Sequence, residues 1–177
     1  LAWRMRPPGG GARWLTLTGT NGKTTAVRML TAMLTAGGLR SAAVGNVGTP
    51  VLQAVLDPEP HDFLAVELSS FQLHWLGPDR PASLAPFASG LLNVEPDHLD
   101  WHGSFEAYSR DKGEVYQRTR RVCVYNVQHP LTESLLREAD VAEGCRAVGF
   151  TREAPRVGMV GVVDGVLADR AFVEQRQ

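Results

Sequence analysis

The chain has 177 residues, enough for one folded domain and at most a small appendage. Hydrophobic residues at 44% and charged residues at 21% are the proportions of an ordinary globular fold and exclude a disordered segment. A net charge of −1 provides no basic field for nucleic acid, so any phosphate must be held by a local site.

The first twelve residues, ending in "RPPGGGA", have the Pro/Gly composition of a linker, and residues 13–177 read as one domain. "RWLTLT" (13–18) is short, alternating and β-rich, which predicts a strand. From Lys23 to Ala36 the period becomes helical, with Val27, Leu30, Met33 and Leu34 on one face and Gly37-Gly38 as the stop. "SAAVG" (41–45) predicts a second buried strand, and "TPVLQAVL" (49–56) a helix with Pro50 at its start. "DFLAVEL" (62–68) and "SGLLNV" (89–94) predict two further strands. "SFEAYSRDKGEVYQRT" (104–119) reads as a helix with Ser104 as N-cap. A strand at 121–126, a helix at 130–139 and a strand at 145–150 continue the alternation. The apolar alternation around Asp164-Gly165 predicts a β-hairpin. Strand–helix alternation with continuous apolar strands implies an α/β fold. It is a mostly parallel sheet with helices on both faces, of the P-loop nucleotide-binding type, with a β-hairpin near the C-terminus.

No apolar run approaches the ~18 residues of a membrane span. "LAWRMRPPGG" is basic but lacks the apolar centre of a signal peptide, so a soluble cytoplasmic chain is expected. Cys123 and Cys145 are too few for a disulfide framework or a metal cluster and are expected as buried, reduced thiols.

The chemistry concentrates in three places. The first is Gly19-Thr20-Asn21-Gly22-Lys23-Thr24-Thr25, which joins a strand to a helix. The common phosphate loop is G-x-x-x-x-G-K-[ST], and here the position of its first Gly is Leu17. The shorter loop keeps the physical requirements. Gly19 and Gly22 let backbone N–H groups turn inward, and the helix start adds its positive dipole end. Lys23 can reach the terminal phosphates, and Thr24 can place a hydroxyl on Mg²⁺. The second place is Glu67, at the end of the 62–68 strand, where a nucleotide site needs a carboxylate near its metal. The third is "LNVEPDHLDWHGS" (92–104), where Asp97, His98, Asp100 and His102 crowd one loop. It can be a divalent-metal loop or an ordinary solvated one. The i,i+4 spacing of His98 and His102 suits zinc on a helix, but Pro96 and Gly103 oppose a long helix and no H-E-x-x-H is present. The aromatic stretches "FQLHWL" (71–76) and "LDWHG" (99–103) are expected to pack or anchor loops and not to stack bases.

TGTNGKTT (18–25), GNVGTP (45–50), ELSSFQL (67–73), LNVEPDHLDWHGS (92–104) and YSRDK (108–112) stand in an order that resembles the Mur ligases. These are the ATP-dependent amide-forming ligases of peptidoglycan synthesis. The short loop without the first Gly is that family's own form. Within the family, ELSSFQL and GNVG are similar to the branch that adds D-glutamate to UDP-N-acetylmuramoyl-L-alanine. The branch adding the third peptide residue and the folylpolyglutamate synthases are the alternatives. The resemblance implies that Lys23 and Thr24 hold the phosphates of ATP and a first Mg²⁺, with Glu67 as a ligand of that ion. It implies His98 on a second Mg²⁺, and Lys112 converted by CO₂ to a carbamate that supports it. Asn46 would lie near the reacting phosphate or substrate, and Ser69 and Ser70 on the substrate side, without showing which of them faces it. UDP-N-acetylmuramoyl-L-alanine and D-glutamate would be the partners, held mainly by other domains, with neither nucleic acid nor membrane involved.

The family has an N-terminal UDP-binding domain and a C-terminal domain that presents the amino acid. Gly19 comes too early for the first, and too few residues follow Phe150 for the second. No late "GxHN" segment is found. The chain is therefore expected to be a truncated central ATP-binding domain, inactive as a ligase alone. A GTPase-like switch is disfavoured because no N-K-x-D segment occurs. A non-catalytic nucleotide-binding module is the alternative of another class.

Overall fold

The computed structural model describes residues 1–7, 11–76 and 84–172. In chain order it contains β1 (Arg13–Thr18), α1 (Lys23–Ala36), β2 (Ser41–Gly45), α2 (Val51–Val55), β3 (Phe63–Glu67), α3 (Ser70–His74) and β4 (Ala88–Leu91). Then follow α4 (Leu99–His102), α5 (Phe105–Gly113), β5 (Val122–Asn126), α6 (Pro130–Arg137), β6 (Arg146–Phe150), β7 (Met159–Val163) and β8 (Val166–Asp169). Two 3₁₀ turns, Ala2–Met5 and Glu114–Tyr116, complete the set. The first sits on the domain: Trp3 meets Trp14 edge-to-face at 5.1 Å, and the Arg6 guanidinium covers Trp3. Pro8, Gly9 and Gly10 of the expected linker lie outside the described residues.

The strands form one sheet in the order β2-β3-β1-β4-β5-β6-β7-β8. All neighbours are parallel except β7 and β8, which pair antiparallel as the expected hairpin. Asp164 (φ 49°) and Gly165 (φ 77°) supply the two left-handed residues that a tight two-residue hairpin turn needs. From β1 the chain runs outward to β2, returns to β3 and then crosses to β4 on the far side of β1. The C-terminal end of β1 is therefore the switch point, where open α/β sheets bind ligands. Register brings the loops level: Leu17 pairs with Glu67, Gly45 with Glu67, and Thr18 with Leu91.

The central strands are apolar throughout because both faces are covered. Leu64, Ala65, Val66, Val44 and Leu91 are fully buried. Tyr108 and Tyr116, from α5 and the turn after it, fill the same core. Helix α1 is attached by a narrow stripe. Val27 is buried and Leu30 and Leu34 are half-buried, but Met33 is 63% exposed, off the edge of the face expected for it. Strand β4 ends at Leu91, earlier than expected, because the next residues leave the sheet to bind the Gly19–Lys23 loop. The 104–119 helix holds α-geometry only to Gly113, with Ser104 capping as expected by accepting from the Ala107 N–H at 3.1 Å.

Candidate nucleotide and metal site

The Gly19–Lys23 loop is latched to the segment after β4. Thr20 N–H donates to Asn93 O at 3.1 Å, and Asn21 N–H donates to Asn93 Oδ1 at 2.8 Å. Asn93 Nδ2 returns a bond to Asn21 O at 3.2 Å. Thr20 Oγ1 accepts from Glu95 N–H at 2.9 Å and lies 2.9 Å from the Tyr108 hydroxyl. Gly22, at φ 81°, makes the left-handed turn into α1. A Cβ on Gly19 would press Leu92 at 3.1 Å, so both loop glycines have steric reasons. Lys23 folds back over the loop, its Nζ donating to Gly19 O at 2.9 Å and to Thr20 O at 2.8 Å. Thr25 lies exposed on the first turn of α1.

Glu67 is 1% exposed at the end of β3, yet no Lys or Arg pairs with it among the described residues. Its Oε2 accepts from Thr24 Oγ1 at 2.8 Å and its Oε1 from Asn46 Nδ2 at 3.3 Å. A buried carboxyl group held only by neutral donors is an arrangement that a bound cation would complete. The approach of Asn46 depends on Gly45 (φ 103°), where a Cβ would stand 2.2 Å from Glu67 O. Gly48 (φ 68°) meets the same restriction against Ala43 O at 2.3 Å. GNVG is thus a turn folded so closely onto the strand ends that side chains cannot fit at either glycine.

Lys112 is 2% exposed and donates from Nζ to Gly19 O at 2.8 Å, with its ammonium 4.8 Å from the centre of the Tyr108 ring. Burial, reinforced by the charge of Lys23 and opposed by Asp97, pushes its pKa down to about 7. The sequence alone makes it a helix-surface lysine. It is buried because α5 lays it beneath the loop. A cavity of about 170 Å³ is lined by Lys23, Asn46, Ser69, Ser70, Phe71, Asp97, His98, Tyr108 and Lys112. His98 is the N-cap of α4 in a left-handed conformation (φ 49°), and its ring packs 4.9 Å from Phe71.

Ser69 and Ser70 both border this cavity but have different duties. Ser69 caps α3 reciprocally with Gln72, accepting from Gln72 N–H at 3.2 Å while Gln72 Oε1 accepts Ser69 N–H at 2.9 Å. Ser70 is buried and its Oγ is 3.0 Å from His102 Nε2. His102 points away from the cavity, so the fold does not bring His98 and His102 together as a zinc pair. Sequence reasoning missed Asn93, Thr20 and Tyr108 as the latch. It also missed α3, although Ser69-x-x-Gln72 is a capping-box signature that could have marked it.

Residues 17–162 match the family model for the Mur ligase middle domain. The chain belongs to the Mur ligase family. Among the curated Mur ligases, a UDP-N-acetylmuramoylalanine–D-glutamate ligase from Streptomyces avermitilis is 60% identical over the whole of this chain, which covers 37% of that protein. The ligase of the same name from Thermobifida fusca is 51% identical over 98% of this chain and 36% of its own. The chain therefore spans little more than a third of the length of these relatives. Solved Mur ligase structures share the fold. The UDP-N-acetylmuramate:L-alanyl-gamma-D-glutamyl-meso-diaminopimelate ligase from Neisseria meningitides superposes with a TM-score of 0.63 at 18% identity, over 91% of this chain and 53% of that one. MurF from Thermotoga maritima in complex with ADP gives 0.56 at 22% identity, over 81% and 34%. Among the described residues no helix is long and apolar enough to cross a membrane.

Proposed function

We propose that this chain is the ATP-binding central part of a cytoplasmic ligase that joins D-glutamate to UDP-N-acetylmuramoyl-L-alanine in peptidoglycan synthesis. The observation that carries an ATP-dependent reaction is the buried Glu67, without a Lys or Arg partner among the described residues, beside Thr24 at the start of the Lys23 helix. The 60% identity over the whole chain supports the D-glutamate-adding member. The 177 residues form the central domain, and the UDP-binding and amino-acid-binding domains belong to the remaining length that the relatives have.

In the proposed reaction the alanine carboxylate attacks the γ-phosphorus of ATP, ADP leaves and an acyl phosphate forms. The amine of D-glutamate then attacks the acyl carbon and inorganic phosphate departs. A free carboxylate would have to expel oxide or hydroxide, and phosphorylation supplies a far better leaving group. Lys23 exchanges its loop carbonyls for phosphate oxygens and neutralises charge as it gathers there. The backbone N–H groups of the loop and the first turn of α1 orient the same phosphates.

Glu67 and Thr24 fit one Mg²⁺, because a carboxylate and a hydroxyl are the hard oxygen donors that ion selects. His98 and a carbamylated Lys112 would hold a second. Bound there, the ions supply charge neutralisation and alignment of the phosphoryl oxygens. Lys112 suits its role because a pKa of about 7 leaves much of the amine neutral at physiological pH. Only the neutral amine attacks CO₂. An N–C bond forms as one C=O π bond of CO₂ opens onto its oxygen, the nitrogen loses one proton to solvent, and the neutral amine becomes an anionic carbamate.

Calorimetry with a non-hydrolysable ATP analogue, with and without Mg²⁺, tests the nucleotide site on this chain. We expect Mg²⁺-dependent binding that Lys23→Ala removes. Equal binding by the folded variant would overturn it. For the full reaction, the parent protein must form an amide from UDP-N-acetylmuramoyl-L-alanine and D-glutamate, and preference for another amino acid would sink the assignment.

A further inference from the structure

A second polar cluster lies between α3, α4 and α5, next to the nucleotide cavity, which it touches through Ser70. His74 closes α3, His102 closes α4 and Asp111 lies in α5. Asp111 Oδ2 is 3.0 Å from His74 Nδ1 and 2.7 Å from His102 Nδ1. One donor atom from each of the three falls within 4.8 Å of the others. The His102 side chain is fully buried, Asp111 is 16% exposed and His74 is 41% exposed.

We propose that His74, His102 and Asp111 form a binding site for a divalent transition metal of the zinc class. Two imidazoles and a carboxylate are a borderline donor set that suits Zn²⁺ better than Mg²⁺. Tetrahedral coordination with bonds of about 2.0–2.2 Å places ligand atoms roughly 3.3 Å apart. The two short contacts open to that spacing by roughly 0.3 and 0.6 Å, and the two histidine nitrogens, within 4.8 Å of each other, close toward it. Ser70 Oγ, on the other ring nitrogen of His102, fixes the ring and can accept its N–H, leaving Nδ1 free to ligate. The exposed side of His74 leaves a fourth position to water.

An independent observation points the same way. Glu114, one turn beyond Asp111, has a buried Oε2 without a hydrogen-bond partner. This end of α5 therefore carries a buried carboxyl oxygen left unsatisfied beside the cluster's own carboxylate residue. Shared protons could produce the same short contacts, and only metal binding separates the two accounts.

The test uses the tag-free chain, stripped of metal, titrated with Co²⁺. We expect visible absorption of tetrahedral strength at one equivalent, displaced by stoichiometric Zn²⁺ and unaffected by millimolar Mg²⁺. Trp101, whose ring lies 4.5 Å from His102 and 5.0 Å from His74, should be quenched in parallel. Outer-shell changes alone weaken metal sites ~10–100-fold, so loss of a ligand in His74→Ala should cost at least about 100-fold in Co²⁺ affinity. Circular dichroism confirms that this surface variant folds. Glu67→Gln should leave the band unchanged, which separates this site from the nucleotide site. Absence of the band, equal affinity in folded His74→Ala, or loss of the band in Glu67→Gln would each overturn the proposal.

Discussion

Replacing Lys112 with Met should change how stability depends on pH. The folded-state pKa of about 7 lies well below the 10.5 of the free side chain. The folded protein therefore binds fewer protons than the unfolded chain between those values, and stability must rise with pH across that window. At 1.36 kcal/mol per unit, the buried amine costs roughly 5 kcal/mol at pH 6 and roughly 2 kcal/mol at pH 9. Lys112→Met abolishes this term. It also loses the bond to Gly19 O, an offset that is the same at every pH. Relative to the variant, the wild type should thus gain ~2–3 kcal/mol between pH 6 and pH 9. Urea denaturation of both proteins in CO₂-free buffer measures the difference directly. Parallel profiles would refute the claim that Lys112 is forced toward neutrality. Added ¹³C-bicarbonate at pH 8 should then give a carbamate carbon resonance in the wild type that is missing from the variant.

Gly45→Ala places a methyl group 2.2 Å from a backbone oxygen at φ 103°, and should destabilise by on the order of 3 kcal/mol in the same denaturation assay. A cost under ~0.5 kcal/mol would mean that the turn is looser than described. Asn93→Ala removes two loop hydrogen bonds, at about 1–2 kcal/mol, and should speed amide exchange at Asn21 more than at core strands. Burial, with Cys123 adding to it, pushes the Cys145 thiol up to about 12 against an ordinary 9, so at pH 8 it carries ~1000-fold less thiolate than a free cysteine. Alkylation of the folded protein should be slow by a comparable factor; labelling at the free-thiol rate would contradict this.

The sheet was legible because buried parallel strands are apolar end to end, and "DFLAVEL" could scarcely be anything else. Lys23–Ala36 was legible for a similar reason, with a helical period bounded by glycines. Strand β4 was overextended because Leu92 and Val94 continue its apolar pattern, while Asn93 between them is diverted to the Gly19–Lys23 loop by Thr20 and Asn21, about 70 residues away. Met33 fits the helical face on paper, but the sheet covers only a narrow stripe of α1. Short α3 escaped notice because five residues carry too little periodicity. Lys23, Thr24 and Glu67 were visible as residues in context. The burial of Lys112 and the Asp111–histidine cluster were not, since both arise from how three short helices meet.

Lys23 and Lys112 both donate to the carbonyl of Gly19, and Lys23 also holds Thr20 O. These oxygens already occupy the lysines in the manner of a phosphate. Nucleotide arrival is then an exchange of acceptors and not the filling of empty donors, so the enthalpy from Lys23 should be smaller than its charge suggests. Released from Lys23, Gly19 O would be left to Lys112 alone. Conversion of Lys112 to a carbamate would leave its nitrogen a single N–H beside a negative group, so its contact with Gly19 O would have to change. In the proposed reaction, nucleotide arrival and modification of the amine would therefore be coupled through one backbone oxygen.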